Sequence, residues 1–271
     1  MKPSTVLRFF KFAFIFLLQH YQPMEACVDY FYTQVQNFTG STFLAETDVT
    51  TKEILMTGQR HIAIAGASGL VGNALLRTAL DDPSIGEVHV LCRRPVKVSH
   101  PKLLEHQVDF QLIPPLPAID EVYLAVGTTM HQAGSRAAFR AVDLAINLAV
   151  AQAALAAGAQ RIGVVSAMAA NPKSRFFYNR VKGELEQALT ALSPDGLVIA
   201  RPSMLLGDRQ TLGQSVRLSE TLTKYVSQAV RPLIPRDYRP IEAQKVARAL
   251  LSHVPTASQT IILRSGEMQM A

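Results

Sequence analysis

Cysteine is scarce in this chain. There are two, Cys27 and Cys92, in 271 residues. One lies in an irregular N-terminal segment and the other in a predicted strand, which makes no disulfide framework and fits a reducing compartment. The expected location is cytoplasmic. The seven histidines show no spacing that would hold a metal, so none is expected. Charged residues are few, 18% against 48% hydrophobic, which excludes global disorder and allows a sizeable core. The net charge of +6 is spread along the chain, and Arg93-Arg94 is its only adjacent basic pair. Nucleic acid is therefore not an expected partner, whereas a phosphate-bearing cofactor suits the basic excess. Long apolar runs are missing too. "FAFIFLL" (12–18) is too short to span a bilayer, so no stable membrane span is expected. "MEACV" (24–28) is a poor signal-peptide cleavage site. Internal repeats and low-complexity tracts are also lacking.

What is there falls into two parts. Residues 20–55 show no clear helical or strand period, and 1–55 as a whole reads as an N-terminal extension, disordered or not native. Met56 is the expected start of the functional chain, and 56–271 the expected single domain, with substrate-binding elements from about 203 onward. From residue 60, short apolar runs alternate with helical stretches. Strands are predicted at 61–66, 87–93, within 101–110, and at 121–127, 161–167 and 196–202. Helices are predicted at 70–80, 135–158 (stopped by Gly158), 176–189 and 242–254, with a late strand at 260–265. This alternation predicts an α/β, doubly wound parallel sheet of the Rossmann type with a small C-terminal substrate-binding region.

"GASGLVG" (66–72) stands between the first strand and the first helix. That context marks a dinucleotide loop. Gly66 permits the tight turn, Gly69 lets the backbone approach a pyrophosphate, and Gly72 lets helix and strand pack closely. Ser68, Leu70 and Val71 complete the loop, and the helix N-terminus stabilises phosphate charge. The second strand ends in "CRRP", where NAD-preferring folds carry an Asp or Glu about 20 residues beyond the loop. Arg93 and Arg94 stand there instead. A guanidinium pairs with a 2′-phosphate that a carboxylate would repel, so NADPH is expected over NADH. Asp109, ending the third strand, is the expected contact of the adenine amino group.

Tyr178 and Lys182 lie one helical turn apart in "FFYNRVKGELEQAL". Ser166 ends the fifth strand in "VVSAM", and strand C-termini line the cofactor crevice of such a sheet. These three are the expected catalytic set. A lysine ammonium one turn away favours the tyrosine phenolate. The serine hydroxyl orients a substrate carbonyl, and the tyrosine gives its oxygen a proton as hydride arrives at carbon.

Together these motifs resemble the short-chain dehydrogenase/reductase superfamily. More narrowly, "VGTTMHQAGS" (126–135), "FRAVD" (139–143), "YNRVKGELE" (178–186) and "RPSMLLGDRQ" (201–210) look like the atypical branch that includes the thirty-kilodalton human Tat-interacting protein and its bacterial relatives. The resemblance covers about residues 58–255. It implies a Rossmann fold, NADPH, and a Tyr–Lys site whose lysine also bonds the nicotinamide ribose. It places Val126, Gly127 and Thr128 on the nicotinamide side, with Arg201 and Pro202 nearby. Ala167 stands where relatives often carry a second serine, so Thr128 or Thr129 is a substitute for the catalytic hydroxyl. The expected function is an NADPH-dependent oxidoreductase acting on a small carbonyl or alcohol. The alternatives are an NADPH-binding sensor module and a nucleotide-sugar epimerase or dehydratase, the last weakened by a short C-terminal region. Asp143 and Asn147, one turn apart, either satisfy nearby backbone or relay a water to Lys182. The loop 230–241 reads as part of a substrate lid, and helix 135–157 either covers the sheet or faces a second copy in a homodimer.

Overall fold

The first strand shows how this chain builds its sheet. In "RHIAIA", β1 (Arg60–Ala65), Ile62 through Ala65 are all buried, the pattern of a central parallel strand covered on both faces. The computed structural model describes residues 58–206 and 235–270. The N-terminal extension 1–55 and residues 230–234 of the expected lid lie outside the described residues.

After β1 come α1 (Leu70–Asp81), β2 (Ile85–Cys92), β3 (Leu103–Gln107), β4 (Glu121–Leu124), the short α2 (Met130–Ala133) and a long helix, α3, over Arg136–Ala156. Then follow β5 (Arg161–Val165), α4 (Phe177–Ala191), β6 (Gly196–Arg201), β7 (Leu205–Leu206), β8 (Ile241–Glu242), α5 (Ala243–His253), β9 (Thr260–Arg264) and the short α6 (Ser265–Met268). The strands order as β3-β2-β1-β4-β5-β6-β9, every neighbouring pair parallel. This is the expected doubly wound α/β sheet. Strand order reverses between β1 and β4, and ligands bind outside the strand C-termini at such a point.

One face packs α1 and α5 against Ile62, Ile64, Val88 and Val90. The other packs α3 and α4 against Ala63, Ala65, Leu124, Ile162 and Val164. Burying each of the larger side chains contributes about 1.5–3 kcal/mol. β9 adds a seventh strand beside β6, and α5 packs on α1. Residues beyond 203 thus build core as well as crevice, because "TIILR" finds an open parallel edge on β6. At the end of β4 away from the crevice, Arg60 holds Glu121 at 2.7 Å, and the buried Tyr123 hydroxyl donates to the same carboxylate at 2.7 Å. Burial, reinforced by Glu121, pushes the Tyr123 phenol well above its ordinary range.

The long helix differs from its sequence reading. It is not one regular helix: residues Ala141–Ile146 form a π-turn. It is long and apolar enough to cross a bilayer by length and composition. Its buried stripe, Phe139, Asp143, Asn147, Val150, Ala151 and Ala154, faces the protein, with Val150, Ala151 and Ala154 packed into the sheet. Gly158 takes φ +102 and ends the helix as expected.

Two imidazoles meet on the outer strands. His89 Nδ1 lies 3.0 Å from His106 Nε2, with Glu87 3.2 Å from His89 Nε2 and 3.7 Å from His61. Burial lowers the His89 pKa below its ordinary 6.5 and His106 adds to this, while Glu87 opposes both. Below that value the unfolded chain takes up a proton that the folded one resists, so stability is complete above about pH 6.5 and falls as pH drops. Urea midpoints at pH 7.5 and 5.5 should show this fall, and His89→Gln should reduce it. An equal fall in the variant would remove His89 as its cause.

Candidate cofactor and active site

The glycine turn joins β1 to α1 at the switch point. Gly66 has φ +91, and a Cβ there would lie 2.6 Å from the Ala125 carbonyl. A Cβ on Gly72 would lie 2.0 Å from the Gly66 oxygen. The turn closes through Gly69 N–H donating to Gly66 O at 2.9 Å. No side chain caps α1 at Gly69, so the first-turn N–H groups of Leu70, Val71 and Gly72 are left for an anion. Ser68 is exposed beside them. A cradle that admits no Cβ at Gly66 or Gly72 and ends on an uncapped twelve-residue helix fits a dinucleotide pyrophosphate.

Arg93 and Arg94 are both exposed just past β2. Asp109 is exposed past β3, where its carboxylate accepts from Gln111 N–H at 2.9 Å. Cys92 ends β2 as a free thiol whose pKa burial and Glu105 raise.

Beyond β4 the chain leaves the sheet at Ala125. The Val126 carbonyl accepts from Asn147 Nδ2 at 3.0 Å, and Thr128 N–H donates to Asp143 Oδ2 at 2.8 Å. Gly127 is exposed between them. The same Asp143 reaches α4: its Oδ1 lies 2.8 Å from Lys182 Nζ, with both side chains almost fully buried. The contact is an ion pair without hydrogen-bond alignment, which leaves Oδ1 a buried oxygen with no bonded donor. Of the two sequence readings for Asp143 and Asn147, the side chains do satisfy backbone, and Asp143 meets Lys182 directly.

Tyr178 sits one turn above Lys182 and is 41% exposed. Its ring packs edge-on to Phe139 at 5.8 Å. The stripe continues to Glu186, which sequence reasoning missed. Ser166 Oγ donates to Glu186 Oε1, and Arg201 clamps the same carboxylate at 3.0 and 2.5 Å. That bonding raises the Arg201 pKa. Ser166 has one hydroxyl proton, and Glu186 holds it. Asp143 therefore links Lys182 to the loop of Val126, Gly127 and Thr128, with Tyr178 one turn from Lys182 on α4, and Glu186 ties Ser166 to the part-buried Arg201. Pro202 is buried, its carbonyl accepting from Met168 N–H at 3.1 Å. The only local signal for Glu186 is a carboxylate on an apolar helix face one turn past Lys182. Of the lid loop, the described part is tied down: Ser203 Oγ donates to Arg239 O at 2.5 Å, and Asp237 accepts from Gly266 N–H at 2.9 Å.

A seven-stranded parallel sheet with this glycine turn at its switch point defines a protein of the Rossmann class. The chain belongs to the NAD dependent epimerase/dehydratase family, whose model matches residues 62–228. Among curated relatives, "Protein FMP52, mitochondrial" of Candida albicans is 37% identical over 164 residues, 56% of this chain and 72% of that protein. Among solved structures, the UDP-N-acetylglucosamine 4-epimerase of Methanobrevibacter ruminantium, in complex with UDP-N-acetylmuramic acid, aligns with a TM-score of 0.56 at 14% identity, covering 76% of each chain. A short chain dehydrogenase family protein of Francisella tularensis aligns at 0.55 and 13%, covering 78% of this chain and 99% of its own. At such identities the structures show the fold. These matches carry the broad superfamily and give no support to the narrower Tat-interacting branch. They also correct the expected cytoplasmic location, since the relatives in Candida, Eremothecium and Saccharomyces are all named mitochondrial. A shortage of disulfides marks a reducing environment, which more than one compartment provides, so the cysteine count does not single out the cytoplasm.

Proposed function

We propose that this protein is an NADPH-dependent oxidoreductase that reduces a carbonyl, or oxidises the matching alcohol, on a small molecule. The observation that carries the reading is the Lys182 ammonium, buried one turn below Tyr178 and fixed by Asp143 under the loop after β4. Gly66, Ser68, Gly69, Leu70, Val71 and Gly72 would hold the pyrophosphate, and Arg93 and Arg94 the 2′-phosphate. Asp109 would meet the adenine, Val126, Gly127 and Thr128 the nicotinamide side, and Lys182 the ribose. When bound, NADPH supplies the hydride.

The chain's own work is proton delivery and orientation. The Tyr178 hydroxyl, on a side chain 41% exposed, gives its proton to the substrate oxygen. Thr128 takes the orienting role, because among the described residues its hydroxyl makes only a 3.5 Å contact with Thr129 O while the Ser166 proton is engaged. Arg201 and Pro202 support the crevice from behind, with Glu186 holding Arg201 in place. The relatives' name extends to a mitochondrial location for this chain.

One observation favours a second reading. The engaged Ser166 removes a donor that a carbonyl reductase of the resembled type uses, which suits a sensor that binds NADPH and turns over little. A screen of NADPH consumption over aldehydes, ketones and quinones separates the two. Turnover on at least one class supports the oxidoreductase. Tight NADPH binding with none supports the sensor, and interconversion of nucleotide sugars without net NADPH loss supports an epimerase.

A further inference from the structure

The floor of the crevice carries two opposite charges in contact. Gly127 lies directly over them: a Cβ there would stand 3.4 Å from Asp143 Oδ1 and 3.9 Å from Lys182 Nζ. The absent side chain opens this one point of the loop onto the pair. Asp143 sits in the π-turn of α3, a local widening that recurs at functional sites. Its Oδ2 is taken by Thr128 N–H, while Oδ1 faces the ammonium without a hydrogen bond. Both side chains are at least nine-tenths buried, so water screens them little.

We infer that Asp143 sets the redox preference of the cofactor site by neutralising Lys182 beneath the nicotinamide. This rests on the dinucleotide reading proposed above. The oxidised nicotinamide ring carries a positive charge and the reduced ring carries none. A bare ammonium under Gly127 would repel the oxidised form alone. The pair as built is neutral and lets both forms bind, which a reversible reaction requires. Asp143 is thus a positioning residue with an electrostatic role. It touches Lys182 and the loop, and acts on the cofactor through them.

The test is the ratio of dissociation constants, NADP⁺ over NADPH, measured on the full chain by calorimetry. Asp143→Asn keeps the shape and leaves the ammonium unbalanced, so the ratio should rise about tenfold or more, since a unit charge ~3 Å from the ring produces about tenfold even at the dielectric of bulk water. Lys182→Met leaves the carboxylate unbalanced, so the ratio should fall. The double variant should return to the wild-type ratio. Loss of ribose contacts or of loop order weakens both forms alike and leaves the ratio fixed. A ratio unmoved by Asp143→Asn in folded protein, or moved in the same direction by both single variants, overturns the inference. If Asp143→Asn does not fold, Lys182→Met and the double variant decide it by the same signs. Failure of the wild type to bind either form would instead sink the dinucleotide reading, and this inference with it.

Discussion

Gly72→Ala should cost the fold about 3 kcal/mol or more, a Tm lowered by roughly 6–12 °C, and should abolish dinucleotide binding. The added methyl would lie 2.0 Å from the Gly66 carbonyl oxygen and 2.6 Å from its carbon. Neither atom can retreat. Gly66 is itself wedged against Ala125, and α1 is held by Val71, Leu75, Leu76, Ala79 and Leu80 in the core. The helix must lift off β1, and its N-terminus leaves the phosphate position. Gly134→Ala is the comparison: its φ of +73 costs about 1–2 kcal/mol, but nothing lies within 4 Å of the new Cβ. Thermal melts of both, with NADPH titrations, check the contrast. Equal melting points for the two variants would mean that the turn is looser than it looks.

Tyr178→Phe should lower the rate on any carbonyl substrate by about 10²–10⁴-fold, the share that a positioned general acid supplies. That is about 3–5 kcal/mol of transition-state stabilisation. The fold should hardly notice. The ring keeps its packing on Phe139, and the hydroxyl makes no hydrogen bond among the described residues. NADPH affinity should stay within about threefold, so the loss falls on kcat. Steady-state rates with the best substrate from the screen measure this, and an unchanged kcat would take the tyrosine out of the chemistry.

What could be read from the sequence was local. The glycine spacing, the strand before it and the helix after it lie within one βα unit, and each glycine's reason is steric and short-range. Tyr178 and Lys182 share one helix, so their spacing alone places them together. Asp143 and Glu186 were harder. Their partners, Lys182 for one, Ser166 and Arg201 for the other, lie on other elements, and no periodicity reports a tertiary ion pair. The π-turn has no local signal either: "AVDLAI" reads as ordinary helix, and the turn is seen only once Asp143 is found buried against α4. Ser166 follows the end of β5 as its sequence position implies, whereas its bonding has no local signal, because the acceptor of its hydroxyl proton is a carboxylate twenty residues on. β9 was legible as a strand, whereas its place beside β6 depends on an edge that the other strands create.

The most direct measurement is a titration of the full-length protein with NADPH and NADH, followed by the fluorescence of the reduced ring, for the wild type and for an Arg93→Ala, Arg94→Ala double variant. NADPH should bind the wild type at least tenfold more tightly than NADH, and the double variant should lose that advantage while still binding NADH. No affinity for either dinucleotide, or tighter binding of NADH by the wild type, would contradict a crevice built for a phosphorylated cofactor.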